Sequence, residues 1–103
     1  MNEIAPPRNP PARFIRRTDL TVHELDGEAL VYDPESATTH RFNTTAQFIW
    51  RLCDGRHDAG QIAERLGETY EVSVESATEH VERMLREFRE HQLVETTNGD
   101  SLG

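Results

Sequence analysis

Apolar and polar residues alternate along the chain between residues 20 and 42, and then change to a helical spacing. The alternation covers three short runs and predicts extended segments at 21–25, 28–33 and 38–42. Asp26-Gly27 separates the first two runs, and this dipeptide favours a tight hairpin because it tolerates positive φ. Pro34-Glu35-Ser36 is typical of a turn before the third run. The pattern therefore predicts a three-stranded antiparallel meander.

From residue 46 onward the apolar residues recur with a period near 3.6, which predicts helices. The first helix carries a stripe at i, i+3, i+4 and i+7, namely Ala46, Ile49, Trp50 and Cys53. Asn43 or Thr44 can cap its start, because their side-chain oxygens accept from free backbone N–H groups. Asp54-Gly55 is expected to end it.

Two further helices follow. Asp58 and Gln61 have capping-box spacing at the start of the second, and Ser73 can cap the third. The second helix has the apolar residues Ile62, Ala63, Leu66 and Tyr70, and the third has Val74, Ala77, Val81, Met84, Leu85 and Phe88. Leu93 and Val94 close the apolar pattern.

These elements give the order βββααα, an α+β fold in which a small sheet packs on three helices. We assign residues 19–95 to this single domain, a size that can fold without disulfides or metal. Residues 1–18 contain four prolines and four arginines and are predicted to form a disordered or polyproline-like arm. Residues 96–103 are expected to be a flexible tail.

Charge and composition indicate the compartment in which the protein works and the kinds of partner that it can bind. The 103 residues carry a formal net charge of −8, although the arm is basic, so the domain itself is strongly acidic. An acidic body repels phosphate backbones and favours cationic or neutral partners. There is one cysteine, no signal-peptide pattern at the N-terminus and no apolar run long enough to span a membrane. We therefore expect a cytoplasmic protein that binds neither nucleic acid nor membrane.

The sequence contains no motif that predicts catalysis. A glycine-rich phosphate loop, a His-Glu-x-x-His motif and paired cysteines are all absent. Cys53 and His57 are four residues apart, but Cys53 completes an apolar stripe, which favours a buried structural thiol over a nucleophile. The five histidines lack ligand spacing with one another. We expect no catalytic residues, no metal site and no cofactor.

An ordered set of residues resembles the PqqD family. It covers about 22–95 and consists of Phe42-Asn43, Ala46, Ile49-Trp50, Leu52, Asp54-Gly55, Ile62, Leu66, Tyr70 and Leu93-Val94. Gln92 departs from the family pattern, which has glycine before the final Leu-Val. The resemblance implies a winged-helix-like module that recognises the leader segment of a ribosomally made precursor peptide. Such modules present the peptide to a separate modifying enzyme, often a radical-SAM protein.

The resemblance also implies where the leader binds. It adds as an antiparallel strand to the third strand, in a groove against the third helix. A third strand followed directly by a helix is an edge strand with unpaired N–H and C=O groups. The candidate peptide-binding residues are Thr38, Thr39, His40 and Arg41 on the strand, and Val81, Met84 and Leu85 on the helix. Each of the three helix residues is alternatively ordinary core.

Two other functions are compatible with the same elements. A structural adaptor would stabilise a partner enzyme without binding a peptide. A helix-turn-helix regulator would use the third helix to bind DNA, but that helix has five glutamates against three arginines, the opposite of what a major-groove helix needs. An exposed edge strand also permits self-pairing, so a homodimer is a further expectation.

Overall fold

A computed structural model of the chain describes residues 12–97. Its elements follow in the order ββββαβααβ. They are β1 (Arg13–Arg16), β2 (Thr21–Leu25), β3 (Glu28–Asp33), β4 (Thr38–Phe42), α1 (Thr44–Arg51), β5 (Asp54–Asp58), α2 (Ala59–Tyr70), α3 (Val74–Glu90) and β6 (Val94–Thr97). Two three-stranded antiparallel sheets result, with the strand orders β5-β1-β6 and β2-β3-β4. None of the helices within 12–97 is both long enough and apolar enough to cross a membrane.

The α+β class, the three helices and the meander are confirmed, but the order βββααα is incomplete. It lacks β1, β5 and β6, which form a sheet of their own. These strands are short, and β5 (Asp54–Asp58) has no apolar residue that could mark it by alternation. Pairing with β1, rather than local preference, holds β5 in extended form.

The domain boundaries also move. β1 brings Arg13–Arg16 into the fold, so the ordered domain begins before residue 19, and β6 extends it to Thr97. Phe14 explains the difference at the first boundary, because it is a buried core residue within a segment that otherwise looks like a basic arm. The remainder of the predicted arm, 1–11, and of the predicted tail, 98–103, lies outside the described residues.

The β2–β3 hairpin turns at the dipeptide that the sequence indicates. Asp26 and Gly27 have φ values of 52° and 83°, which is the positive pair of a type I′ turn. The flanking residues Leu25 and Glu28 lie directly opposite one another. This turn therefore sets the register of the whole meander.

Each helix begins at a polar cap in the expected place. The Asn43 side chain accepts from the Ala46 N–H, Asp58 forms the complete capping box with Gln61, and Ser73 accepts from the Ser76 N–H. α1 ends at Arg51, before Asp54-Gly55, in a tightened last turn. The Arg16 guanidinium donates to the carbonyl oxygens of Trp50 and Arg51 at this end, at 3.1 and 2.8 Å. Arg16 of β1 thus caps the C-terminus of α1 by satisfying two of its free carbonyl groups.

An aromatic cluster joins the meander to the helices. Phe42 from β4, Trp50 from α1 and Phe88 from α3 are all at least 95% buried, with ring centroids 5.0 to 5.5 Å apart. The other large side chains that are fully buried are Val31, Ile49, Cys53, Ile62, Val81 and Leu93. Since Phe42 is the last residue of β4, the cluster fixes the edge of the meander against α3.

Arg17 joins the two sheets through an ion-pair network. Its guanidinium donates twice to Asp33 on β3, at 2.9 and 3.0 Å, and twice to Asp19. It also donates to the Gln92 carbonyl oxygen beyond α3, at 3.0 Å. Hydrogen bonding to Arg17 lowers the pKa of Asp33 below its usual value, against the opposing effect of burial. The segment after β1 is thereby tied to both β3 and the end of α3.

Replacement of Asp33 by Asn should lower the melting temperature at pH 7, and the difference from wild type should shrink in acid. A carboxyl group with a depressed folded-state pKa stabilises above its unfolded pKa, about 3.9, and loses that contribution as pH falls through the folded value. Thermal unfolding at several pH values between 7 and 3 measures this. Glu35→Gln is the matched control, because Glu35 lies 3.8 Å from Arg17 with a side chain 75% exposed and should leave the melting temperature nearly unchanged. A constant difference at every pH would contradict the assignment.

Candidate functional site

A groove runs between the outer edge of β4 and the C-terminal half of α3. It encloses about 370 Å³. Ala46, Phe88 and Leu93 contribute apolar side chains that are almost wholly buried. The walls are formed by residues 39–43 on one side and by Met84, Glu87 and His91 on the other. The groove therefore combines a strand edge with an apolar base.

The hairpin turn determines which backbone groups of β4 point into this groove. A type I′ turn closes with a hydrogen bond between its flanking residues, so Leu25 and Glu28 form a bonded pair. Bonded and non-bonded pairs then alternate, and β3 directs the N–H and C=O groups of 28, 30 and 32 toward β2. The groups of 29, 31 and 33 accordingly point toward β4, to their partners 42, 40 and 38. This leaves Thr39 and Arg41 with N–H and C=O groups directed away from the sheet.

The side chains of β4 alternate in the opposite sense. His40 and Phe42 lie on the inner face with the buried residues Val31 and Ala29, and Thr39 and Arg41 lie on the outer face. Arg41 is 77% exposed and contacts Glu28 across the sheet at 3.4 Å. Three of the four strand residues named from the sequence, Thr39, His40 and Arg41, line the groove, whereas Thr38 does not.

Two histidines form part of the groove wall. The rings of His40 and His91 lie 5.0 Å apart between centroids, one from β4 and one from the end of α3. Burial, followed by repulsion from His91, lowers the pKa of His40 below its ordinary value. The neutral imidazole can both donate and accept a hydrogen bond, which suits a surface that contacts a peptide.

The three helix residues named from the sequence have different environments. Met84 is half-buried and lines the groove. Val81 and Leu85 are 0% and 3% exposed and belong to the core, where the 77-81-85-88 stripe faces the other helices. Peptide contact at Val81 and Leu85 thus gains no support from their position.

Seven groove residues were not predicted from the sequence: Phe42, Asn43, Ala46, Glu87, Phe88, His91 and Leu93. A signal for part of this set was present, because Met84, Glu87 and His91 recur at i, i+3 and i+7 and share one face of α3. The apolar pattern does not detect that face, since two of its three residues are polar.

Cys53 is a buried thiol, as the apolar stripe predicts, and it does not pair with His57. Cys53 is fully buried and its thiol donates to the Ile49 carbonyl oxygen at 3.4 Å. Burial raises the pKa of this thiol to about 12, so it stays protonated at neutral pH. His57 contacts Asp54 instead, with Nδ1 2.9 Å from Oδ1. Across 12–97, no cluster of three or more His, Cys, Asp or Glu residues could hold a metal ion.

The sequence matches the family of coenzyme PQQ synthesis protein D (PqqD) over residues 28–94. The match begins at β3 and ends at the start of β6, so it includes the groove in full. No curated protein matches the sequence.

Solved structures share this fold. TbiB1, in complex with the TbiA(beta) leader peptide, aligns at a TM-score of 0.71 and 16% identity, over 79% of this chain and 94% of that one. A lasso peptide synthetase B1 complexed with the leader peptide aligns at a TM-score of 0.69 and 27% identity, over 82% and 99%. The heterocyclase TruD aligns at a TM-score of 0.61 and 15% identity, over 90% of this chain but 12% of its own.

Proposed function

The chain belongs to the PqqD family, and on that premise we propose that it binds the leader segment of a ribosomally made precursor peptide and presents it to a modifying enzyme. The leader adds as an antiparallel strand to β4 and lies in the groove against α3. Proteins of the same fold have been solved with leader peptides bound, one of them 27% identical to this chain. The chain itself acts as a binding protein, not as a catalyst.

The observation that carries this proposal is the outer edge of β4, which pairs with no other strand within residues 12–97. Thr39 and Arg41 direct two N–H and two C=O groups outward, and the apolar base of the groove lies beside them. An extended peptide can satisfy all four groups while it places alternate side chains over Met84 and Phe88. Strand addition and side-chain burial thus occur together.

Strand addition and side-chain burial are both needed for binding. Four backbone hydrogen bonds contribute roughly 1 kcal/mol each net, whereas ordering an extended peptide costs about 1–2 kcal/mol per residue. The backbone alone cannot bind a leader. Apolar burial at about 25 cal/mol/Å² must therefore contribute most of the net affinity. Most of that area belongs to the apolar side chains of the peptide, and on the groove side Met84 is the half-buried apolar residue with area left to cover, because Ala46, Phe88 and Leu93 are already at least 96% buried.

We extend the proposal to the partners and the setting. The modifying enzyme is a separate protein, for example a radical-SAM enzyme. This chain and the modifying enzyme both work in the cytoplasm. The fold also aligns with 12% of the heterocyclase TruD, which supports an association between this kind of module and a modifying enzyme.

β5 lies between α1 and α2 and shares a sheet with β6 after α3, an arrangement we describe as winged-helix-like. The free β4 edge also permits a homodimer in the absence of peptide.

A direct titration tests the function. The probe is the synthetic precursor peptide encoded in the reading frames next to the gene of this chain, labelled with a fluorophore at its C-terminus. We expect saturable binding by fluorescence anisotropy, and new backbone hydrogen-exchange protection confined to 39–41. Absence of binding, or binding that leaves 39–41 unprotected, would overturn the proposal. A scrambled peptide of the same composition is the control.

Met84→Ala should weaken precursor binding about 5- to 30-fold. Truncation removes apolar contact worth about 1–2 kcal/mol between the thioether side chain and the peptide, with little change in stability because Met84 is only half-buried. Val74→Ala is the matched control on the same helix. The sequence places Val74 on the apolar side of α3, but it is 69% exposed and does not line the groove. Equal affinities for the two variants would contradict the contact at Met84.

A further inference from the structure

A second cavity lies beyond the end of the groove, toward the start of α3. It encloses about 310 Å³ between the C-terminal end of α2, the segment after it and the first half of α3. Leu66 and Ala77 form a buried apolar base, and Tyr70 and Val72 contribute apolar side chains that are 38% and 43% exposed. The rings of Phe48 and Tyr70 pack edge to face, with their centroids 5.6 Å apart. Because Phe48 lies on α1, this helix holds Tyr70 in place. The cavity thus has an apolar base, is open on one side, and has a polar wall formed by Thr45, Ser76, Glu79, His80 and Arg83.

A chain of hydrogen bonds joins this cavity to the groove. Arg83 donates to His80 Nδ1 at 3.2 Å, because a guanidinium cannot accept. His80 therefore carries its proton on Nε2 and donates to the Thr45 hydroxyl oxygen at 3.3 Å. That hydroxyl donates in turn to Asn43 Oδ1 at 3.2 Å. Since Asn43 lines the groove and Thr45 lines the cavity, the first turn of α1 forms a polar wall shared by both.

The two sites also share one face of α3. Ser76, His80 and Arg83 line the cavity, and Met84 and Glu87 line the groove. At about 1.5 Å per residue, Ser76 and Met84 are separated by about 12 Å along the helix axis. An extended peptide covers this distance in about four residues.

The direction of strand addition determines which part of a peptide reaches the cavity. β4 runs from Thr38 to Phe42, so an antiparallel peptide has its N-terminal end beside Phe42. A chain that continues past Phe42 and Asn43 arrives at Thr45 and the cavity. The part of the peptide on the C-terminal side leaves at the opposite end of β4.

We propose that this cavity is a second leader subsite, which takes one large apolar side chain, aromatic or branched aliphatic, about three or four residues N-terminal to the strand paired with β4. The proposal rests on the proposed leader-binding function. A charged group that reached the base would find only Leu66 and Ala77 there and no hydrogen-bond partner, which favours an apolar side chain at that depth, and the size of the cavity suits one bulky residue. Recognition then requires a fixed spacing between the leader segment that pairs with β4 and the apolar residue that enters the cavity. A leader with only one of these two features would bind less tightly.

The test combines two peptides with two variants. The first peptide is the synthetic precursor encoded next to the gene. The second is the same precursor without the residues that precede its β4-paired segment, which is located by the peptide amides that become protected on binding. Ser76→Trp fills the cavity from an exposed position and keeps the Ser76 N–H that Ser73 caps. Glu82→Trp is the matched control, since Glu82 is exposed on the same helix and lines neither site.

We expect truncation to weaken binding to the wild-type protein at least about 10-fold. Ser76→Trp should weaken binding of the full precursor by a similar factor and leave the truncated peptide unaffected, and Glu82→Trp should behave as wild type. In addition, p-cresol should shift the amide resonances of Thr45, Ser76 and His80 in the wild-type protein but not in Ser76→Trp.

The outcomes separate the two proposals. If the wild-type protein binds neither peptide, the leader-binding function fails. If it binds both equally well, the function stands and the subsite is overturned. An equal loss of both peptides in Ser76→Trp, or a full-length affinity that this variant does not change, overturns the subsite as well.

Discussion

Replacing Thr39 and Arg41 together by proline should weaken precursor binding about 30-fold or more and leave the fold intact. Each proline removes one outward N–H and leaves a carbonyl oxygen of the bound peptide without its donor, which costs about 1–3 kcal/mol. The sheet tolerates the change because neither residue bonds to β3, and proline is accepted on an edge strand when its nitrogen faces outward. Anisotropy titration measures the affinity, and circular dichroism checks the helices.

Two controls bracket this result. Thr39→Val with Arg41→Thr changes the same side chains but keeps both N–H groups, and should bind the precursor nearly as wild type does. His40→Pro removes an N–H that points to β3 instead, so its main effect should be a lower melting temperature. Unchanged affinity in the double-proline variant would rule out strand addition at β4.

Gly55→Val should lower the stability of the domain by roughly 2–3 kcal/mol. Gly55 has a φ of 85°, a region that strains any residue with a side chain and a β-branched one most. A Cβ atom at this position would also lie 3.3 Å from Ile15 Cδ1, on the strand that β5 pairs with. For a domain of this size, the loss corresponds to a fall in melting temperature of about 10–20 °C.

Gly60→Ala provides the matched control for that measurement. Gly60 lies in the first turn of α2, is exposed and has no positive φ, and its new Cβ would meet only the Asp58 carboxylate at 3.4 Å. Alanine is the better helix former, so the stability should stay the same or rise by up to about 1 kcal/mol. A melting temperature for Gly55→Val close to that of Gly60→Ala would show that the position accepts a side chain.

The predictable part of the fold depends on local chemistry. Asp26-Gly27, the caps at Asp58 and Ser73, and the core positions of α2 and α3 each follow from a few neighbouring residues. β5 does not, because Asp54–Asp58 becomes extended only through pairing with β1, about 40 residues earlier in the chain. Long-range pairing of polar segments leaves no periodic pattern for sequence reasoning to detect.

The candidate site divides in the same way. The β4 edge was predictable because a strand that leads directly into a helix ends a meander. The outward direction of Thr39 and Arg41 needed the register, which begins at the Leu25–Glu28 pair. On α3, the apolar residues belong to two different surfaces. Val81 and Leu85 lie in the core, whereas Met84 lies between the core and the groove. Hydrophobicity alone does not distinguish these positions.

The pairing of β1 with β6 has a consequence for how such a domain can be joined to others. Arg13 and Thr97 lie opposite one another in the ladder, so the first described strand starts and the last one finishes at the same end of the β5-β1-β6 sheet. A host protein can accept the domain as an insertion through two neighbouring connections, without stretching either of them. The same proximity makes circular permutation feasible, with new ends at the exposed turn of 34–37. Because β4 follows that turn directly, such a permutant would place a free chain end beside the recognition edge.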